Sequence, residues 1–392
     1  MYEEHREGQV RFLRPPLQKV PTAGMPVFYN PRSELNRDVT IAGIQVFLDQ
    51  HAISDARVCT PLAGTGVRAI RIAKEVHGVS TIVAGDINPL AADLVKRNCS
   101  LNDVTELVEV YQSDANLLLT QHHRPSARFH VIDVDPFGSP RGFLWSAIGA
   151  LRPLALLCIT ATDMPVLVGI HREACIERYA AEPARTEYGH ELAVRILLGC
   201  AVREATAQSM GLRPLLCLSV DHYIRLLCET RRGDKAAWEA ASRIGYLLHC
   251  DECGYREIAP MLVPPQLTCP ECQATRTRRA GPLWVDPLAD LSFVEKTLEL
   301  VHQRPLGTQR RLSRILQRLL EELDGPPTYH DLHKLGDKLG IPLPRFDAII
   351  SAIQAKGYSC TRTHFSPHAI RTNASERLIS DVLQHLGGGL ES

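Results

Sequence analysis

Between residues 40 and 165 short apolar runs alternate with stretches of helical periodicity, and this alternation constrains the chain more than any other feature. "ARVCTPL" (56–62), "STIVAGDI" (80–87), "VEVYQSDA" (108–115), "FHVIDVD" (129–135) and "LALLCITATD" (154–163) read as strands. "GVRAIRIAKEVHG" (66–78) and "NPLAADLVKRNCSLN" (88–102) read as helices, the second with Pro89 in its first turn. Strands separated by helices at this spacing predict βαβ units and an α/β, doubly wound, Rossmann-like parallel sheet. Ligands of such sheets sit beyond the carboxyl ends of the strands. Asp86, Asp114, Asp135 and Asp163 all fall at predicted strand ends, which sets four carboxylates along one rim.

The chain continues with helices, including "EYGHELAVRILLGCAVREATAQSM", and one strand-like run, "PLLCLSVDHYIRLLCET". Its 392 residues suit two or three domains. The predicted division is 1–245, an N-terminal extension with the doubly wound unit; 246–285, a cysteine-bearing insert; and 286–392, a helical unit with a β-hairpin of winged-helix-like pattern. Net charge is zero, so a polyanionic partner must be met by local patches. No run of 18 apolar residues exists, and "MYEEHREGQV" lacks a basic stretch followed by an apolar one. The expectation is a soluble, cytoplasmic protein that engages no membrane, and no obligate protein partner is inferred.

Two of the predicted strand ends carry recognisable chemistry. "PLAGTGVRAIR" (61–71) joins a strand to a helix, and Gly64 and Gly66 let backbone approach a ligand at a helix N-terminus. With Asp86 about 20 residues further on, the loop fits either a nicotinamide dinucleotide or S-adenosyl-L-methionine. "DVDPFGSP" (133–140) separates the two. Hydride transfer has no use for it, whereas methylation of an exocyclic base amine does. Such a nitrogen donates its lone pair to the ring, so acceptors must hold its N–H bonds and turn the lone pair outward. Asp135 and the Pro136 carbonyl can do this, Asp135 can also take the proton, and Phe137 can stack on a flipped base. Asp133, on the same strand face, reads as support.

Twelve cysteines divide into eight scattered, mostly within apolar runs, and four that are clustered. Cys250-x2-Cys253 and Cys269-x2-Cys272, 15 residues apart, fit a closed, structural four-thiolate zinc site. "RTRR" (276–279) follows. In "RPLGTQRRLSRILQRLL" (304–320), Arg311, Arg314 and Arg318 share a helix face opposite Leu312, Ile315, Leu316 and Leu319, a candidate nucleic-acid contact.

Taken in order, "MPVFYNP", "NRD", "GTGVRAIR", "DVDPFGSP", "TATD", "RYAAEPARTEYGHELAVRIL", "DHYIRL", the four cysteines, "GPLW" and "RTHF…IRTN" resemble the tRNA (guanine-26-N2)-dimethyltransferases, the Trm1 family. The resemblance implies a class I AdoMet-dependent methyltransferase domain with a C-terminal α+β domain and zinc ribbon. It implies tRNA as partner and one or two methyl groups placed on N2 of guanosine 26. It further implies that Arg37, Arg68, Asp86, Asp114 and Ala115 line the cofactor site. Asp135 would be the catalytic carboxylate, with Phe28 and Phe137 holding the guanine. One departure is "CTP" (59–61), where this fold commonly has an acidic residue before the glycine loop. Arg185, Glu187, His190, Glu191 and Arg195 read as an ion-pair network, and His222 and Tyr223 as RNA contacts or packing. Alternatives are a nicotinamide oxidoreductase with structural zinc and an inactive zinc-ribbon RNA-binding protein.

Overall fold

The computed structural model describes residues 2–17, 25–263 and 265–387. Its centre is a seven-stranded sheet in the order Val108–Gln112, Val79–Asp86, Ala56–Thr60, Phe129–Val134, Leu151–Ala161, Tyr223–Arg232, Met210–Val220. The first five strands are parallel, and the last two run antiparallel to their neighbours. The expected α/β doubly wound sheet is present, with an antiparallel edge. The single run expected over "PLLCLSVDHYIRLLCET" is instead a hairpin of two strands. Asp221, with φ +52°, and His222 make its turn. Both flanks are buried and mostly apolar up to the turn, so they read as one run, and that hid the break.

Alternate residues of each strand feed two cores, as the period of a pleated strand requires. Ile132, Leu157 and Ile159 pack with helices Arg141–Gly149 and Gly189–Thr206 on one face. Val131, Leu156 and Cys158 pack on the other with helix Glu34–Gln50, which is buried from Leu35 to Leu48. Within 286–392, helices Leu291–Gln303 and Gln309–Glu322 add Phe293, Val301, Leu312 and Leu316 to that second core. Residues 330–387 have a separate core around Leu332, Ile349, Ile370 and Leu383. Its short strands His330–Asp331, Ala369–Thr372 and Cys360–Arg362 form a three-stranded antiparallel sheet beside three helices.

Strands Arg256–Pro260, Ile244–Cys250 and Thr277–Trp284 make another three-stranded sheet, and Leu247, Ala280 and Leu283 join the core of helix Gly189–Thr206. Arg256 ties three parts together. It pairs with Glu187, lies 4.4 Å over the Tyr188 ring, and donates to Tyr329 O at 2.7 Å. No helix among the described residues is long and apolar enough to cross a membrane.

Candidate active site

At the carboxyl ends of the central strands a cavity of about 440 Å³ opens, a volume suited to a small ligand. Phe28, Arg37, Gly64, Arg68, Asp135, Pro136 and Phe137 all line it. Strand Phe129–Val134 ends one residue before Asp135, where Pro136 withdraws the backbone donor that pairing would need. The turn that follows is pinned from the next strand. Gly138, at φ +86°, donates from N to Thr162 Oγ1 at 2.8 Å, and Thr162 N returns a bond to Gly138 O at 2.9 Å. Phe137 is thereby presented at 61% exposure, with Phe28 beside it at 40%. The two rings meet edge to face, centroids 5.7 Å apart.

Beneath the cavity lies a compact charge cluster. Asp133 is fully buried and takes a two-pronged bond from Arg225, at 2.8 Å from each guanidinium nitrogen. Arg68 lies 3.0 Å from Asp133 and pairs with Asp135 through Nη2. Asn36 and Thr40, on the long helix Glu34–Gln50, accept from Arg68 at 3.0 and 3.1 Å and fix its orientation. Burial alone would raise the pKa of Asp135, but Arg68 and then Arg225 outweigh it and hold the carboxyl below its usual range. Asp135 keeps 29% of its side chain exposed, so an ionised carboxylate faces the cavity.

Arg37 also lies at the wall but is already engaged. Its Nε and Nη2 donate to Glu7 at 2.5 and 2.6 Å, and Nη2 reaches Asn30 O at 3.3 Å. It therefore shapes the 28–33 segment that carries Phe28. The glycine loop divides its labour. A Cβ on Gly64 would stand 2.9 Å from Phe28 O, so this glycine lets the loop and the Phe28 segment meet at the cavity. Gly66 does not line it; at φ +79° it caps helix Val67–Glu75, and a Cβ there would press on Val95.

The cavity lining stops short of Asp86, Asp114 and Ala115. Asp86 lies just outside, accepting from Gly64 N at 2.8 Å and Asn88 N at 2.9 Å. Asp114 is exposed and caps helix Ala115–Gln121 through Leu117 N, while Ala115 is buried. Reading the strand ends did not single out several wall groups, among them Thr60, Thr160, Asp221 and Asn30. The hydroxyls of Thr60 and Tyr223 are buried at this wall without a hydrogen-bond partner. "CTP" was visible as a departure in the sequence, and Thr60 supplies a free hydroxyl where an acidic residue is usual.

Elsewhere, the Sγ atoms of Cys250, Cys253, Cys269 and Cys272 lie within 4.8 Å of one another, with Cys250–Cys272 and Cys253–Cys269 at 3.6 Å. Tetrahedral zinc–thiolate bonds of about 2.3 Å set sulfur atoms about 3.8 Å apart, so the four thiols fit that ion. Arg311 pairs with Asp221 at 2.6 Å, whereas Arg314 on the same helix is exposed. Of the charged set expected around helix Gly189–Thr206, Glu191 and Arg195 do join a buried ion-pair network, with Arg371. Glu187 pairs with Arg256 instead, and Arg185 and His190 are exposed.

The profile of the family described as N2,N2-dimethylguanosine tRNA methyltransferase matches residues 8–384. A protein of Methanosphaera stadtmanae named tRNA (guanine(26)-N(2))-dimethyltransferase is 38% identical, covering 96% of each chain. Its namesake from Methanothermobacter thermautotrophicus is also 38% identical, over 97% of this chain and 98% of its own. The structure of Trm1 from Pyrococcus horikoshii in complex with S-adenosyl-L-methionine superposes with a TM-score of 0.84 at 33% identity, covering 97% of this chain and 99% of that one. The chain belongs to the N2,N2-dimethylguanosine tRNA methyltransferase family.

Proposed function

We propose that this chain transfers methyl groups from S-adenosyl-L-methionine to the exocyclic N2 of guanosine 26 in tRNA, giving N2-methyl- and N2,N2-dimethylguanosine. The observation that carries the reading is one cavity holding Asp135, Pro136 and Phe137 against Phe28, Gly64 and Arg68. The bound sulfonium supplies an electrophilic methyl carbon and a good leaving group. The chain's task is therefore alignment of a poor nucleophile.

A base turned out of the helix covers the exposed faces of Phe28 and Phe137. Asp135 and the Pro136 carbonyl accept its N2 hydrogens and swing the lone pair toward the methyl carbon. The N–C bond forms as the C–S bond breaks, and the N2 proton passes to the Asp135 carboxylate and from there to water. Arg68 makes Asp135 a firm acceptor but a weak base. That suffices, because an alkylated aryl amine gives up its proton readily. Asp86 and Asp114 follow the adenosine end along the rim outside the enclosed cavity, Gly64 lines its wall, and Thr60 and Tyr223 offer their free hydroxyls to the amino-acid end. Four thiolates hold a structural zinc ion in the 246–285 ribbon, and the 286–392 segment, with Arg314 and Arg318, meets tRNA.

The test is transfer of labelled methyl to unmodified tRNA, followed by nucleoside analysis. N2-methylated guanosine is expected, and replacing guanosine 26 by adenosine should remove the label. Incorporation that survives the replacement overturns the site. Tight binding of NAD with none of S-adenosyl-L-methionine overturns the chemistry.

A further inference from the structure

A second and larger groove, of about 830 Å³, runs beside the active cavity between the sheet rim and the 330–387 unit. Thr162 and His222 line both, so the two spaces share a wall. We propose that this groove is a subsite for RNA backbone, holding a phosphodiester that flanks the target guanosine; the inference rests on the function proposed above.

Charge makes the first argument. Two of its lining residues are cationic, Arg185 from the loop before helix Gly189–Thr206 and Lys334 from helix Leu332–Leu339. Both are exposed, and neither has a carboxylate partner among the described residues. The acidic residues of the groove are otherwise engaged. Glu187 pairs with Arg256, and Asp331 Oδ1 caps its helix by accepting from His333 N and Lys334 N at 3.0 and 3.2 Å. In a chain of zero net charge, two uncommitted cations facing one groove form a local anion site.

Connectivity makes the second. A nucleotide whose base enters the active cavity stays bonded to its neighbours, so an adjacent phosphate must leave along a path that touches the cavity. Exposed His190 and His222 and the Thr186 hydroxyl, which is buried without a partner, add donors on that path. Phosphate contacts from lysine, arginine and hydroxyl groups position a nucleic acid without reading its sequence. The groove therefore sets which nucleotide reaches Asp135, while the cavity tests whether it is guanine.

The experiment uses full-length protein and tRNA assembled with a single uncharged methylphosphonate at either phosphate flanking guanosine 26. For the wild type, one of the two substitutions is expected to lower kcat/KM about tenfold. Arg185→Ala with Lys334→Ala should lower kcat/KM similarly on unmodified tRNA, with S-adenosyl-L-methionine affinity within twofold of wild type. In that double variant the same methylphosphonate should cost less than twofold more, because the contact is already gone. Additive losses, or insensitivity of the wild type to both methylphosphonates, overturn the subsite while leaving the methyltransferase reading intact. No methyl transfer by the wild type to unmodified tRNA overturns that reading instead.

Discussion

At the sheet rim, Arg68 and Arg225 face Asp133 and Asp135; on the far side of helix Gly189–Thr206, Glu191 faces Arg195 and Arg371, with Glu322 and His364 behind. Both clusters are built from arginine forks and carboxylates taken out of water. In the second, no side chain is more than 5% exposed, and every carboxylate oxygen accepts at least one bond. It joins the catalytic unit to helix Gln309–Glu322 and strand Ala369–Thr372. In the first, one carboxylate breaks the seal, because Pro136 ends the strand and lifts Asp135 to the cavity. The same ingredients are sealed on every side in one cluster and leave one carboxylate open to a cavity in the other. Buried ion pairs add little net stability, but removing one partner is costly. The two clusters should accordingly fail in different ways.

Asp135→Ala tests the open cluster and carries the largest expected effect. Methyl transfer should fall by about 10²–10⁴-fold, the usual range for a group that handles protons in the transition state. S-adenosyl-L-methionine and tRNA affinities should stay within a few fold. A rate close to wild type would erase the distinction between the clusters. Glu191→Ala tests the closed one. It strands Arg195 without its carboxylate, leaves Arg371 with Glu322 alone, and should cost about 3–5 kcal/mol in urea unfolding. Single-turnover methyl transfer by the remaining folded protein should be unchanged. Loss of chemistry without loss of stability would show that this cluster, too, serves the reaction.

How much of this was legible follows from sequence distance. "DPFGSP" announces its geometry locally: proline and glycine stop a buried strand, and the residues to inspect are those at the stop. The glycine loop was equally local. What holds these residues was not legible. Arg225 reaches Asp133 from 92 positions away, and Glu7 reaches Arg37 from 30. Nothing in either stretch names its partner, because strand order and hairpin register decide who meets. Gly66 carries a constraint that its own stretch does not display. It belongs to a ligand-loop pattern, yet Val95, brought in by helix Pro89–Leu101, is what requires it to lack a side chain. Asp86 and Asp114 were correctly placed at strand ends, but how far the enclosed cavity extends is a property of packing alone.

Acid should weaken the closed cluster more gently. Burial raises the pKa of Glu191, but Arg371 and Arg195 outweigh it and bring it down to about 2, and Arg37 and Arg71 do the same for Glu7. A carboxyl depressed in the folded state contributes stability that is fully present above its unfolded value near 4.5 and is lost as pH falls through about 2. Unfolding free energy should therefore be flat with respect to these groups from pH 7 to 5, then decline by on the order of a few kcal/mol toward pH 2. Glu191→Gln should flatten part of that decline. An unchanged slope in this variant would mean that the network is not paired in solution.

The smallest effect belongs to an ion pair outside both clusters. Arg311 and Asp221 are 50% and 35% exposed and meet across the hairpin turn beside the active cavity. Water screens such a pair, so Arg311→Ala should change stability by less than about 1 kcal/mol, and raising salt should shrink even that. Its consequence for activity is sharper than its consequence for folding, because the substitution leaves the Asp221 carboxylate uncompensated at the cavity wall. A modest rise in KM for tRNA with unchanged kcat is expected, and the rise should vanish in Arg311→Ala with Asp221→Asn. If the second substitution restores nothing, the lost arginine itself contacted RNA, and the helix Gln309–Glu322 face extends the binding surface past the cavity mouth.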